Sequence, residues 1–299
     1  MALFAEMNAD QIRVVILDLD GVIYRGQTPI PGAGDVTRWL GASVPQAAAC
    51  GMQARACATR YQLYYFTNNS TKTRESYVEL LAGFDVATDT DHVVTSASLT
   101  ARYFTENGLL PATALVVGEG GLAEELRQAG VRVVRRRTSP PVDYVVVGMD
   151  RRFTYQKLHV AQQAVLAGAK LIATNRDATY PVEGGNVIPG GGSIVAAVAT
   201  ACGREPLLIG KPSPEAGRLI AHHAGVEPHE MLIVGDRIET DIEMGRRAGL
   251  LTCMVLTGIS AIEEIAALPP TSRPHWVIES IAQVPDLLQG RIPLRGDVQ

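Results

Sequence analysis

Short apolar runs recur along the chain, and several of them, such as Val14–Leu17, are rich in β-branched residues and end at a polar loop. Longer stretches between them carry apolar residues at helical spacing, so the pattern predicts alternating strands and helices. This alternation is typical of an α/β fold with parallel sheets. Strands are predicted at residues 14–17, 63–66, 115–117, 131–134, 144–147, 171–173, 207–209, 231–234, 252–256 and 276–278. Helices are predicted at residues 35–40, from about 74, and at 96–107, 122–129, 154–167, 193–201, 214–223 and 241–248.

The chain has 299 residues and is 46% hydrophobic, which is enough for two domains with substantial cores. One stretch, from Pro181 to Gly192, is dense in Gly and Pro. It is the strongest sequence candidate for a hinge or linker.

Charge and cysteine content narrow the classes of function. The formal net charge is -4, which argues against a protein that binds nucleic acid mainly by phosphate attraction. The four cysteines form no C-x-x-C pair, so they are expected to be free thiols in a reducing compartment. No apolar run is long enough to span a membrane, and the N-terminal residues lack signal-peptide features. We therefore expect a cytoplasmic enzyme without a nucleic-acid or membrane partner.

Polar residues that could take part in catalysis or ligand binding follow several of the predicted strands. They are Asp18 and Asp20, Thr67, Lys211, and Asp236 with Asp241. The carboxyl ends of parallel strands form the binding crevice of an open α/β sheet. Carboxylates there can hold a hard cation such as Mg²⁺, while a lysine and a hydroxyl suit a phosphoryl group. Alone, each residue is an ordinary turn or cap residue, and Asp241 suits the N-cap of the next helix.

The same residues carry a resemblance to a known family. The chain resembles haloacid dehalogenase superfamily phosphatases of subfamily IIA, which includes 4-nitrophenyl phosphatases and NagD-type nucleotidases. The resemblance rests on four short motifs and one longer signature in two parts, and it covers nearly the whole chain. They are D18-L-D20-G-V22, T67-N-N69, G210-K-P212, G235-D-R-I-E-T-D241-I, and A173-T-N-R-D-A-T-Y-P181 with P189-G-G-G-S193.

The resemblance implies a mechanism. Asp18 would attack phosphorus and become an aspartyl phosphate, and Asp20 would be the general acid and then the base. Mg²⁺ would be bound by Asp18, the backbone carbonyl of Asp20, and Asp236, with Asp241 orienting a metal-bound water. Thr67 and Lys211 would hold the phosphoryl oxygens, with backbone N–H groups near Asn68 and Asn69 adding to the cradle. Candidate contacts to the leaving group are Asn175, Arg176 and Asp177.

The resemblance also implies an architecture. A Rossmannoid parallel-sheet core is expected at residues 1–83 and 187–299, with an inserted α/β cap domain of the C2 type at residues 84–186. Residues 184–192 would be the return linker, and the cap is a candidate homodimer surface. Residues 41–60 look like an insertion relative to the family and would alter the geometry of the first core helix.

Other interpretations remain at this stage. Gly118–Ala123 reads G-x-G-x-x-A between a strand and a helix, and arginines 135–137 follow the next strand. This is the fingerprint of an NADP-dependent oxidoreductase. It leaves Asp18, Asp20 and Lys211 unexplained. A non-catalytic module that binds a phosphorylated ligand, and a phosphotransferase that uses the same site, are further alternatives. The substrate is not predicted.

Overall fold

The computed structural model describes residues 9–44, 58–59, 61–136, 141–181 and 186–294. Strands and helices alternate as the apolar pattern predicts, with bounds within a few residues of those expected. The strands are Val14–Asp18 (β1), Tyr24–Arg25 (β2), Thr28–Pro29 (β3), Ser43–Val44 (β4), Ala58–Thr59 (β5), Gln62–Thr67 (β6), Val93–Thr95 (β7), Thr113–Val117 (β8), Arg132–Val134 (β9), Tyr144–Val147 (β10), Lys170–Ala173 (β11), Thr179–Pro181 (β12), Val187–Pro189 (β13), Leu207–Leu208 (β14), Met231–Gly235 (β15), Leu251–Val255 (β16) and Trp276–Ile278 (β17).

The helices are amphipathic or buried elements that connect these strands. They are Ala33–Gly41 (α1), Arg74–Ala82 (α2), Ser96–Glu106 (α3), Gly120–Gln128 (α4), Tyr155–Leu166 (α5), Gly191–Cys202 (α6), Pro214–Ala224 (α7), Glu243–Ala248 (α8), Ile262–Ala267 (α9) and Val284–Leu288 (α10). A π-helical turn, Ile238–Ile242, precedes α8. Short 3-10 turns occupy Ala9–Gln11, Pro228–Glu230, Pro270–Ser272 and Ile281–Gln283.

The chain divides into two compact units. The first unit comprises Met1–Phe66, Leu80–Thr88 and Ile220–Gln299, and the second comprises Thr67–Glu79 and Asp89–Leu219. The sequence predicts a catalytic core at 1–83 and 187–299 and a cap at 84–186. This division stays a prediction.

A parallel sheet forms the centre of the first unit. Its strands follow the order β17-β16-β15-β1-β6, and β1 pairs in parallel with both β15 and β6. Val14–Leu17 and Met231–Val234 are completely buried, which explains why these strands are apolar runs without alternation. Leu17 lies opposite Val234, and Asp18 lies opposite Phe66. The register therefore brings the end of β1 level with the ends of its neighbours.

The second unit contains its own parallel sheet, with strand order β14-β11-β10-β8-β9. Its core joins Val145 and Val147 of β10 to Ala161 and Val165 of α5 and to Val198 of α6. The α/β fold with parallel sheets and flanking helices, predicted from the sequence, is confirmed in both units.

The Gly/Pro-rich stretch is more regular than the sequence suggests. Val187–Pro189 pairs with Thr179–Pro181 as an antiparallel hairpin, and Gly191 and Gly192 form the first turn of α6. A Cβ on Gly192 would lie 2.3 Å from the carbonyl oxygen of Arg176. These glycines therefore permit close backbone packing. The expectation that residues 184–192 link the predicted cap to the predicted core stays a prediction. Gly184 and Gly185 lie outside the described residues.

Residues 45–57 and 60 of the predicted insertion also lie outside the described residues, together with Cys50, Cys57 and Arg137. Within the described ranges, no helix combines the length and the apolar character needed to cross a bilayer. Cys202 and Cys253 are buried free thiols, as expected.

Candidate active site

Three carboxylates converge in the first unit. Asp18 is the last residue of β1, Asp236 follows β15, and Asp241 lies in the π-helical turn. Each offers one oxygen, and these oxygens lie within 4.8 Å of one another. The three side chains are almost fully buried, at 8%, 2% and 1% exposure. Three buried anionic groups at this separation repel one another strongly unless a cation offsets their charge.

This donor set fits a hard divalent cation. Carboxylate oxygens are the preferred ligands of Mg²⁺ and Ca²⁺, and the burial of all three excludes the solvated surface cluster that needs no ion. The described residues contain this group and no second cluster of comparable His, Cys, Asp and Glu ligands. The sequence placed Asp18, Asp236 and Asp241 at one edge of the sheet, and the structure brings them together.

A loop that follows β16 holds Asp236. The Ile259 N–H donates to Asp236 Oδ2 at 2.9 Å, and the Ser260 N–H donates to the Asp236 carbonyl at 3.1 Å. A Cβ on Gly258 would lie 2.0 Å from both Asp236 Cβ and Asp236 Oδ2. Residues 257–260 were missed by the sequence reasoning. The only signal was a Thr-Gly pair directly after an apolar strand.

Asp241 has a different local role from the one expected. The N-cap of α8 is Ile242, so the prediction that Asp241 caps this helix is wrong. Asp241 Oδ2 instead accepts a hydrogen bond from the Arg237 N–H at 3.2 Å. A Cβ on Gly235 would lie 2.2 Å from Asp241 Cβ, so the glycine allows this carboxylate to fold back against the end of β15. The π-helical turn provides the extra residue that this requires.

Asp20 lies in the tight loop after β1 and is only partly exposed. The Gly21 N–H donates to the Tyr24 carbonyl at 2.7 Å, and the Thr257 hydroxyl donates to the Gly21 carbonyl at 2.6 Å. Gly21 has a φ of 86°, and a Cβ there would lie 2.6 Å from Asp236 Oδ2, so glycine is required. Burial raises the pKa of the Asp20 carboxyl, against the opposing charges of Arg237 and Arg25. A raised pKa favours the protonated form that a general acid needs.

Thr67 and Asn69 belong to the second unit. Thr67 ends β6, and the Asn69 N–H donates to its Oγ1 at 3.2 Å. The Asn69 side chain accepts from the Thr71 N–H at 2.8 Å and donates to the Tyr180 hydroxyl at 3.1 Å. With one acceptor site occupied by a backbone N–H, the Thr67 hydroxyl keeps its own proton for donation.

The side chain of Asn68 is hydrogen-bonded to the main chain of Lys211. The Lys211 N–H donates to Asn68 Oδ1 at 2.9 Å, and Asn68 Nδ2 donates to the Lys211 carbonyl at 2.9 Å. Both residues are buried, with Lys211 only 2% exposed. A lysine is almost never buried without a partner, so this position is specialised.

The segment 175–177 contributes two of its three residues to this cluster. Asn175 Nδ2 donates to the Asn68 carbonyl at 2.7 Å, and Asp177 Oδ1 accepts from Asn68 Nδ2 at 3.1 Å. The Arg176 guanidinium instead pairs with the exposed Glu205. The second unit therefore brings together Asn68, Asn175, Asp177 and Lys211 but directs the Arg176 side chain elsewhere. Whether any of them contacts a leaving group stays a prediction.

The glycine turn at 118–123 packs against the chain itself. The Gly121 N–H donates to the Thr71 carbonyl at 3.2 Å, and a Cβ on Gly121 would lie 2.6 Å from the Lys72 carbonyl carbon. The Arg135 guanidinium donates to the Gly118 carbonyl at 2.9 Å. A dinucleotide pyrophosphate needs the space in front of this helix N-terminus. Because the chain's own backbone fills that space, the geometry disfavours the oxidoreductase interpretation.

Comparison with known proteins identifies relatives of this chain. A family profile described as haloacid dehalogenase-like hydrolase matches residues 15–132, and a second, described as HAD-hydrolase-like, matches residues 208–284. Glycerol-3-phosphate phosphatase from Gallus gallus is 37% identical over 274 residues, which cover 85% of this chain and 82% of that protein.

Solved structures give the same result. The p-nitrophenyl phosphatase from Archaeoglobus fulgidus superposes with a TM-score of 0.78 at 30% identity and covers 93% of this chain and 99% of its own. NagD from E. coli K-12 gives a TM-score of 0.76 at 31% identity, with coverages of 91% and 98%. Glycerol phosphate phosphatase from Mycobacterium tuberculosis in complex with magnesium gives 0.77 at 31% identity, with coverages of 91% and 76%.

Proposed function

The chain belongs to the haloacid dehalogenase-like hydrolases and is a phosphatase of that family, and on this premise we propose that Asp18 is its covalent nucleophile. The observation that carries the proposal is the convergence of buried Asp18, Asp236 and Asp241 carboxylates in the first unit. The wider resemblance to NagD and to 4-nitrophenyl phosphatase, stated from the sequence, agrees with the solved structures.

In the proposed reaction, an Asp18 carboxylate oxygen attacks the phosphorus of a phosphate monoester, and the bond from phosphorus to the ester oxygen breaks. Asp20 donates its proton to the departing alcohol oxygen. Asp20 then removes a proton from water, which attacks the aspartyl phosphate and releases inorganic phosphate. The raised pKa of Asp20 supports the first of these proton transfers.

The carboxylates are suited to a divalent cation, and we propose that the ion is Mg²⁺. Asp18, Asp236 and Asp241 would hold it, together with the backbone carbonyl of Asp20. When bound, the ion supplies positive charge that offsets the repulsion between a carboxylate nucleophile and a phosphate dianion. The magnesium complex of the Mycobacterium tuberculosis relative supports this choice.

Thr67 and Lys211 are proposed to hold the oxygens of the transferring phosphoryl group. The support is chemical: Thr67 keeps a hydroxyl proton to donate, and Lys211 is a buried cation whose backbone is fixed on both sides. A buried ammonium interacts far more strongly with a developing charge than an exposed one does. The backbone N–H groups beside Asn68 and Asn69 are proposed to add to this cradle.

The substrate is proposed to be a small phosphate monoester of a polyol or sugar. The support is that the relatives include a glycerol-3-phosphate phosphatase and an acid sugar phosphatase of Staphylococcus epidermidis. We further propose a cytoplasmic location and a homodimer formed through the predicted cap. The exposed apolar side chains of Tyr155 and Leu166 on α5 support such an interface. Size-exclusion chromatography with light scattering tests the dimer.

The experiment that tests the function is phosphate release from 4-nitrophenyl phosphate, glycerol 3-phosphate and a panel of sugar phosphates, with and without Mg²⁺. Wild type is expected to turn over only with the cation, and Asp18→Asn is expected to be inactive. Asp35→Asn is a matched control, because it removes an exposed carboxylate of the first unit that pairs with Arg38. Equal activity of the Asp18 and Asp35 variants would refute the nucleophile assignment.

A further inference from the structure

One short segment reaches both asparagines that follow β6. Asn175 and Asp177 hydrogen-bond to Asn68, and Tyr180 hydrogen-bonds to Asn69. These contacts join stretches of chain that are 107 to 111 residues apart in sequence. Because each partner is polar and at least partly buried, the contacts fix the segment relative to the end of β6 rather than merely covering it.

The carboxamide of Asn68 makes three of its four possible hydrogen bonds in this arrangement, and both of its donors are used. Its oxygen accepts from the Lys211 N–H, and its two N–H protons go to the Lys211 carbonyl and to Asp177 Oδ1. A carboxylate only accepts hydrogen bonds, so Asp177 requires the nitrogen side of the amide to face it. Asn68 Oδ1 then faces the Lys211 N–H and accepts its hydrogen bond. Asp177 thus stabilises the one orientation of Asn68 that matches both polar groups of the Lys211 backbone.

The surroundings leave this network little freedom. Asn68, Asn175 and Lys211 are 7%, 3% and 2% exposed. A Cβ on Gly210 would lie 2.7 Å from Asn68 Oδ1, so the backbone just before Lys211 rests directly on the amide. The Gly192 N–H of α6 donates to the Asp177 carbonyl at 2.9 Å. Helix α6 therefore holds the segment in place from its other side.

We propose that Asp177, acting through Asn68, is a positioning residue that sets the placement of Lys211. The proposal rests on the proposed role of Lys211 as a ligand of the phosphoryl group. It assigns Asp177 a different role from contact with the leaving group, which the sequence suggested. The chemical basis is the acceptor oxygen of Asp177, which receives the hydrogen bond from Asn68 Nδ2 at 3.1 Å. Replacing the carboxylate by an amide that still offers an oxygen is therefore tolerated, and removing the oxygen is not.

The test is a double-mutant cycle. Asp177→Ala, Asp177→Asn, Lys211→Met and the double variant Asp177→Ala with Lys211→Met are compared with wild type at saturating Mg²⁺. The values of kcat and KM are measured with 4-nitrophenyl phosphate, and the Kd of inorganic phosphate is measured by calorimetry. Thermal melting of each variant distinguishes a misplaced Lys211 in a folded protein from a protein that has not folded. Asp143→Ala is the matched control, because Asp143 is an exposed carboxylate of the same unit that accepts from the Thr113 N–H at 2.7 Å.

Asp177→Ala is expected to lower kcat by roughly 10- to 100-fold, the loss that a displacement of about 1 Å produces at a reacting centre. Asp177→Asn is expected to stay near wild type, and in the Lys211→Met background Asp177→Ala is expected to have little further effect. An Asp177→Asn variant as impaired as Asp177→Ala, or an undiminished effect without the lysine, would overturn the inference. If wild type shows no turnover, the proposed function fails, and the phosphate Kd values of the same proteins then decide the positioning role.

Discussion

Gly258 offers a sensitive test of the carboxylate cluster. The residue follows β16, and a Cβ added there would lie 2.0 Å from Asp236 Cβ and from Asp236 Oδ2. Ordinary carbon–carbon contact is about 3.5 Å, so Gly258→Ala forces Asp236 or the loop to move by roughly 1.5 Å. The substitution adds one methyl group and removes no polar atom, so its effect on function follows from displacement alone.

The displacement is large compared with what a metal site tolerates. Metal–oxygen distances in proteins vary by only about 0.2 Å around their preferred values, so a carboxylate moved by roughly 1.5 Å can no longer be a ligand in the same geometry. Overpacking of this kind destabilises the fold by about 1 to 3 kcal/mol, which leaves a protein of this size folded at room temperature. We therefore expect a folded enzyme with weakened binding of the cation.

The assay is a Mg²⁺ titration of 4-nitrophenyl phosphate hydrolysis. Gly258→Ala is expected to raise the half-saturating Mg²⁺ concentration at least about tenfold and to lower kcat by up to about 100-fold. Gly41→Ala is the matched control, because among the described residues its added Cβ would meet only the Leu63 side chain, at 4.0 Å in the same unit. Wild-type Mg²⁺ dependence in a folded Gly258→Ala protein would refute the assignment of Asp236 as a cation ligand.

Arg237, His275 and the cation site of the first unit each provide a further test. The Arg237 charge lowers the pKa of Asp20, so Arg237→Met should raise that pKa and move the basic limb of the pH–rate profile to higher pH. The control Arg246→Met, which only loses a pair with Glu243, should leave the limb in place. An unmoved limb in Arg237→Met would contradict this. Burial lowers the pKa of His275, so its neutral form stabilises the fold above the ordinary value of about 6.5, and this contribution is lost as pH falls from there through the lowered pKa. In urea unfolding, His275→Gln should lose less stability than wild type between about pH 7.5 and 5.5; parallel losses would refute the linkage. Saturating Mg²⁺, at about 100 times its Kd, should raise the unfolding free energy by about 2.7 kcal/mol over chelated enzyme, and Asp241→Asn should reduce this gain; equal stability with and without the cation would contradict the site.

The sequence located site residues best where the residue directly follows a single apolar strand. Val14–Leu17 and Met231–Val234 are unbroken apolar runs because both faces of these strands are buried, and their ends identified Asp18 and Asp236 directly. The resemblance to the phosphatase family rests on the same residues, and the family profiles together with the phosphatase relatives confirm it.

Contacts made through space were not visible in the sequence. The Thr257–Ser260 loop holds Asp236 with backbone groups, which leave no side-chain signal beyond one glycine. The glycines at 190–192 suggested flexibility, but they allow α6 to pack against the backbone at Arg176 and Asp177. Sequence alone does not distinguish a glycine that gives the backbone flexibility from a glycine that allows another segment to pack closely against it.

The covalent bond between Asp18 and phosphorus is demonstrated by trapping the aspartyl-phosphate intermediate. Wild-type enzyme with Mg²⁺ is mixed with 4-nitrophenyl phosphate, quenched in acid within the first turnover, and digested for mass spectrometry. We expect a phosphoryl group on the peptide that contains Asp18, absent when Mg²⁺ is omitted and absent in Asp18→Asn. A wild-type enzyme that releases phosphate while the rapidly quenched Asp18 peptide stays unmodified, or an Asp18→Asn variant that retains turnover, would contradict it.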